Sequence, residues 1–182
     1  TPAIKKLGVP SRGRIYEIPK DIEYIIAPPR MSLYMEYSAK IYGIMLKYIS
    51  ADDIHVYSCD EAFLDVTTYL SLYKKTAKQI AQMILDDILM ETNITATVGI
   101  GSNLYLAKVA LDITAKHSPD NMGFLDEGIY RQKLWHHQPL TDFWQIGPGT
   151  ANRLAMLGID DMAGLAHCDE KVLYKIFGVN AE

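Results

Sequence analysis

Side-chain period decides whether a segment packs as strand or helix, and in this chain the strand period does not return past Pro139. Before that point short apolar runs alternate with helical stripes. Tyr24 to Ala27, stopped by Pro28 and Pro29, reads as a buried strand. From Ser32 onward Leu33, Tyr34, Tyr37, Ile41, Ile44, Met45 and Tyr48 recur at three- and four-residue steps, the stripe of an amphipathic helix. His55–Ser58 and Phe63–Val66, split by a short turn, read as a hairpin. A second helix runs from about Leu72 to Met90, with Ala77, Ile80, Ile84 and Ile88 on one face. Ile94, Ala96, Val98 and Ile100 alternate with Thr95, Thr97 and Gly99, as a half-buried strand does. Gly101-Ser102-Asn103 turns the chain into a third helix through Leu104 to Leu111, and Gly123-Phe124-Leu125 is one more short strand. The order predicts an α+β fold, an antiparallel or mixed sheet with helices on one face.

Past Pro139 the pattern is helical. Thr150 is placed to cap a helix through Ala155 that ends at Gly158, and Asp169 to cap one that ends at Gly178. Residues 1–23, rich in Gly, Pro and basic side chains, read as a turn of helix and a loop. Three parts are therefore expected: 1–23, an α+β unit over 24–136, and a small all-helical unit over 137–182.

Composition is that of a soluble globular protein, with 49% hydrophobic and 22% charged residues. No apolar run approaches the ~20 residues of a membrane span. No secretory leader opens the chain, and the start at Thr1 rather than Met suggests a trimmed or processed piece. The two cysteines, Cys59 and Cys168, form no CxxC pair, which fits a reducing, cytoplasmic setting. Residues 1–50 carry eight Lys/Arg against four Asp/Glu, and residues 51–182 carry ten against eighteen. That acidic excess disfavours nonspecific DNA binding by this stretch alone, because such affinity comes from cations that neutralise phosphates.

The most informative stretch is Tyr57-Ser58-Cys59-Asp60-Glu61-Ala62-Phe63-Leu64-Asp65-Val66. Two adjacent carboxylates lie between apolar strands. On a regular strand they would point to opposite faces, so a turn or bulge must bring them together. Held together they repel unless a cation neutralises them, and hard oxygen ligands suit Mg²⁺. By residue type alone, a solvated turn is the commoner meaning of such a pair. Tyr57 to Thr67 resembles the hallmark YS[IV]DEAFLDVT of the Y-family (translesion) DNA polymerases, the UmuC-like, ImpB/MucB/SamB group. The resemblance makes Asp60 and Glu61 the catalytic, Mg²⁺-binding pair, two ions being used, with Ser58 supporting the site on its nucleotide side. Cys59 stands where the family has Ile or Val, which predicts a slightly looser core. Asp65 reads as structural.

Further blocks are similar to the same family. Thr97-Val98-Gly99-Ile100-Gly101-Ser102-Asn103 with Leu106-Ala107-Lys108-Val109-Ala110 and Asp112 matches its strand–turn–helix segment, where packing accounts for most residues. Lys116, after that helix, resembles the lysine that meets the incoming triphosphate, although its spacing from Asp112 is one residue longer than in many members. Ile146-Gly147-Pro148-Gly149, with Ala151-Arg153-Leu154 and Leu157-Gly158-Ile159, resembles the helix-hairpin-helix of the thumb. Gly147, Gly149, Thr150 and Arg153 would there meet the DNA backbone, because glycines admit a phosphate and a helix N-terminus offers free N–H groups.

The resemblance implies the end of the fingers in 1–23, the palm in 24–136 and the thumb in 137–182. It implies nucleotidyl transfer past damaged bases, with primer–template DNA and deoxynucleoside triphosphates as partners and no membrane. The family's first strand, with a further metal-binding Asp, and its little finger, with any sliding-clamp contact, lie outside this sequence. These 182 residues by themselves are therefore expected to be inactive. A catalytically dead palm–thumb module that binds DNA or protein is the rival class. A nucleotidyl cyclase-like palm is a third, and the helix-hairpin-helix argues against it.

Overall fold

The computed structural model describes residues 4, 6–9 and 14–181. By contacts the chain divides into residues 1–35 and 36–182. In the first part, residues 23–30 form neither helix nor strand, and Ile25 and Ile26 are exposed. The strand expected at Tyr24–Ala27 is not formed: an extended run becomes a strand only where another segment supplies hydrogen bonds, and none does among the described residues.

Helix α1 (Met31–Met45) begins at the end of the first part and runs into the second. The second part continues with β1 (Ile54–Ser58), β2 (Glu61–Leu64), α2 (Thr67–Tyr73) and α3 (Ala77–Thr92). The single helix expected over 72–90 is two. Lys74 takes the left-handed conformation (φ 51°) and closes α2. Thr76 then opens α3 with a capping box: its side chain accepts from the Gln79 N–H, and the Gln79 side chain accepts from the Thr76 N–H. Six isoleucines, Ile44, Ile49, Ile54, Ile80, Ile84 and Ile88, form the first core, packed by Ala62 and Leu64 of β2.

Next come β3 (Val98–Gly101), α4 (Leu104–Val109), β4 (Met122–Leu125) and α5 (Glu127–Leu134). β1 pairs antiparallel with β2, and β3 pairs parallel with β4. The α+β class holds, with the sheet present as these two pairs. Pairing of β3 starts at Val98, so residues 94–97 of the expected strand stay unpaired. Asn103 caps α4 by accepting from the Leu106 N–H at 2.8 Å. The helix then widens into a π turn over Ala110–Thr114 and tightens into a 3₁₀ turn over Ala115–His117.

Three glycines let α4 and the turns that follow it press against the strands. A Cβ on Gly99 would lie 2.0 Å from the Ala107 carbonyl oxygen, one on Gly101 2.3 Å from the Ala107 nitrogen, and one on Gly123 2.5 Å from the Ala110 carbonyl oxygen. The helical region after Pro139 holds α6 (Pro148–Ala155), α7 (Met162–His167) and α8 (Glu170–Phe177). Gly147 is the N-cap of α6, so Thr150 lies inside the first turn rather than at the cap, because Pro148 fits the first helical position. Asp169 caps α8 as expected, and Gly178 ends it at φ 62°. Helices α5 and α7 carry no expectation from the sequence; Asp126 and Asp161 cap them. The second core runs through Leu106, Val109, Leu125, Tyr130, Phe143, Leu154 and Ile159, and so takes residues from both sides of position 137. No helix among the described residues is long and apolar enough to cross a membrane.

Two outcomes are expected. Gly99→Ala drives a methyl into backbone and costs about 3 kcal/mol or more in urea denaturation. Gly149→Ala, where an added Cβ meets nothing within 4 Å, stays within about 1 kcal/mol of the parent. The second outcome concerns acid. Asp161 accepts from the Gly164 N–H and pairs with His136, each at 2.7 Å, and these contacts hold its carboxyl below the usual range. A depressed carboxyl contributes stability above its unfolded value, lost as pH falls through the folded one. Thermal melts between about pH 5 and pH 2 should therefore show an acid decline that Asp161→Ala makes shallower.

Candidate active site

The turn between β1 and β2 consists of Cys59 and Asp60. Pairing is regular from Ile54 opposite Leu64 to Val56 opposite Ala62, then slips, so that Ser58 faces Glu61 and Tyr57 is an extra residue. A bulge of this kind adds twist and re-aims side chains. Ser58 Oγ donates to Asp60 Oδ1 at 2.7 Å and accepts from the Asp60 N–H at 3.4 Å. Asp60 is exposed, and so is Cys59, which therefore packs in no core and loosens none.

Glu61 has a different partner. Its Oε1 is shielded from solvent and meets the Lys108 ammonium as an ion pair outside hydrogen-bond geometry. Lys108 projects from α4 with its side chain only 8% exposed. It also lies 3.1 Å from Asp112 Oδ2 and 5.8 Å from the centre of the Tyr57 ring. Asp112, on the π turn, accepts from Lys116 Nζ at 3.2 Å through its other oxygen. Charges thus alternate from Glu61 through Lys108 and Asp112 to the exposed Lys116. Burial alone would pull the Lys108 ammonium down; its contacts with Glu61 and Asp112, and their charges, outweigh that and hold it above the ordinary lysine range.

The structure therefore groups Ser58 with Asp60, and joins Glu61 to Lys116 through two residues that the sequence reading left to packing. A signal for them was present. Lys108, Asp112 and Lys116 follow one another at four-residue steps, the spacing of ion pairs on a helix.

Gly147, Gly149 and Thr150 lie at the start of α6, and Arg153 in its last turn. Gly147 and Gly149 are exposed, and a Cβ on either would meet nothing within 4 Å, so internal packing does not demand glycine there. Arg153 sits 4.4 Å over the Phe177 ring and donates to the Gly149 and Ile176 carbonyls, each at 3.4 Å. Aromatic contacts lead from the hairpin toward this region. Trp144 Nε1 donates to the Tyr57 hydroxyl at 3.2 Å, and its ring packs against Tyr57, Phe63 and Tyr105.

Among the described residues no three His, Cys, Asp or Glu side chains gather as a complete metal cage. Mg²⁺ asks for less than that: it is commonly held by one or two carboxylates plus substrate phosphates and water. An exposed Asp60 beside Glu61, whose shielded oxygen already faces a cation, fits that demand.

Residues 1–112 match the impB/mucB/samB family, and the chain belongs to that family. DNA polymerase IV 2 of Bacillus subtilis (strain 168) is 32% identical over 180 residues, which is 98% of this chain and 43% of that protein. DNA polymerase IV of Moorella thermoacetica is 34% identical over 155 residues, 85% of this chain and 37% of that protein. The chain thus spans about two-fifths of the length of these relatives. Among solved structures, the insertion ternary complex of Dbh DNA polymerase covers 98% of this chain with a TM-score of 0.79 at 30% identity, over 51% of its own length. A DinB family error-prone DNA polymerase from Sulfolobus solfataricus covers 97% at a TM-score of 0.76 and 30% identity, again over 51% of its length. The α+β fold with a helical C-terminal part is therefore that of Y-family polymerases.

The two acidic residues should differ in what they contribute to stability. Glu61→Gln leaves the buried ammonium with one partner fewer and costs about 1–3 kcal/mol. Asp60→Asn, at an exposed turn, costs under about 0.5 kcal/mol. Urea denaturation of both variants without divalent cation reads the difference, and equal losses would contradict this arrangement.

Proposed function

We propose that this chain is the metal- and nucleotide-handling portion of a translesion DNA polymerase, its residues 24–136 acting as palm and 137–182 as thumb. The observation that carries the reading is the Asp60–Glu61 pair at a bulged hairpin turn, linked by alternating charges to Lys116, in a chain of this family. Asp60 and Glu61 would hold two Mg²⁺ ions. When bound there, Mg²⁺ supplies charge neutralisation on the transferring phosphoryl group and the leaving pyrophosphate, and makes the primer hydroxyl a better nucleophile.

The chain's own residues do the positioning on which phosphoryl transfer largely depends. Ser58 fixes the Asp60 carboxylate from within the same turn. Lys116, exposed at the end of the helical segment, offers its ammonium to the triphosphate of an incoming deoxynucleotide, exchanging Asp112 for phosphate oxygens. Gly147 and Gly149 leave open space at the start of α6, where a DNA phosphate can approach free N–H groups; Thr150 and Arg153 flank it. A contact of that kind reads no sequence, which suits a polymerase. Primer–template DNA and deoxynucleotides as partners draw support from the ternary complex of Dbh DNA polymerase.

The test is primer extension by the longer polymerase that carries this chain. Asp60→Asn and Glu61→Gln should each lower kcat by at least about 10²-fold. Lys116→Ala should act on nucleotide KM, by about tenfold, more than on kcat. DNA binding without any extension by the unsubstituted protein would favour the catalytically dead module instead, and extension indifferent to Asp60→Asn would sink the assignment.

A further inference from the structure

We propose that Lys108 is a positioning residue for the divalent cation: it grips one oxygen of Glu61 and leaves the other to the metal. The inference rests on the assignment of Asp60 and Glu61 as metal ligands. Lysine is almost never this buried without partners, and Lys108 is held from three sides: by Glu61, by Asp112 at 3.1 Å, and by the Tyr57 ring at 5.8 Å. Its place along the strands is set by backbone, because Gly99 and Gly101 bring α4 within contact distance of β3 on either side of Ala107. The ammonium is therefore a rigid point against which a flexible Glu side chain comes to rest.

Two effects oppose each other at this point. A cation beside the site repels an incoming metal ion. Against that, a Glu already held in one rotamer loses little freedom when the metal binds, whereas a free one loses most of it. Asp112 tips the balance, since its charge offsets that of Lys108 and damps the repulsion while the grip on Glu61 remains. Glu61 Oε1 is closed to solvent although the side chain is 23% exposed, so the remaining oxygen is the one left for a metal.

Mn²⁺ binding to the full chain, read from the electron paramagnetic resonance signal of free Mn²⁺, tests this without reference to activity. Lys108→Met should weaken binding by about tenfold or more, the usual consequence of losing a residue that orients a metal ligand. Lys108→Arg, which keeps the charge, should recover most of the loss. Near-ultraviolet circular dichroism establishes that each variant retains its packing. Binding by Lys108→Met that equals or exceeds the parent's would show that the lysine is only a competing charge, and the proposal falls. Should Lys108→Met fail to fold, Asp112→Asn answers in its place: it removes the lysine's second anchor, and undiminished binding overturns the proposal equally. Asp60→Asn and Glu61→Gln mark the other kind of failure. If neither weakens Mn²⁺ binding, or the parent binds none in the millimolar range, the metal-ligand assignment itself is wrong, and the role of Lys108 goes with it.

Discussion

The candidate site depends on the contact between α4 and the parallel pair β3–β4. At Gly99, Gly101 and Gly123 the strands present bare backbone, and the helical segment lies against it closely enough that any side chain there would collide with main-chain atoms. Backbone cannot yield as a side-chain tip can, so this contact has little tolerance. It also seats Val109 and Ala110, both fully buried, and so anchors the second core. The position of Lys108 follows from that seating, and with it the partner that Glu61 finds across from the hairpin.

The charges of the site are arranged so that none of the buried ones stands alone. An ammonium taken out of water is costly unless paired, and Lys108 has two carboxylates and an aromatic face. The π turn contributes to this. It places Asp112 where its two oxygens serve lysines on either side, four residues back and four residues on. π turns occur often at functional sites, where they re-aim a side chain without ending the helix. The outermost lysine, Lys116, stays largely exposed and can exchange its carboxylate for another anion.

The β1 bulge couples this chemistry to the rest of the second part. As the extra residue, Tyr57 reaches Lys108 on one hand and Trp144 on the other. From Trp144 the ring contacts continue through Tyr105 and Tyr130 to Phe143 and Trp135, mostly edge to face, the preferred geometry of aromatic quadrupoles. One cluster thus joins the hairpin of the acidic pair to the segment that leads into α6.

Much of this was legible in the sequence. Local signals carry their own physics: the isoleucine stripe of α3, the Gly101–Asn103 turn into α4, Asp169 and Gly178 at the two ends of α8, and the acidic pair at a turn all announced themselves. Where local signals were misread, a nearer one had precedence, as with the Thr76–Gln79 capping box that splits the helix expected over 72–90, or Pro148, which moves the start of α6 ahead of Thr150. Other features had no local determinant. Whether residues 24–27 pair depends on a partner strand, and whether Lys108 serves packing or charge depends on what lies opposite it. The sequence by itself determined the residue types, the α+β alternation and the site's acidic pair, because propensity, period and capping act over a few residues. Only the tertiary structure decided that Glu61 meets Lys108 and so joins the local Lys108–Asp112–Lys116 series, because that contact spans 47 positions of chain and exists only once α4 is seated on glycine.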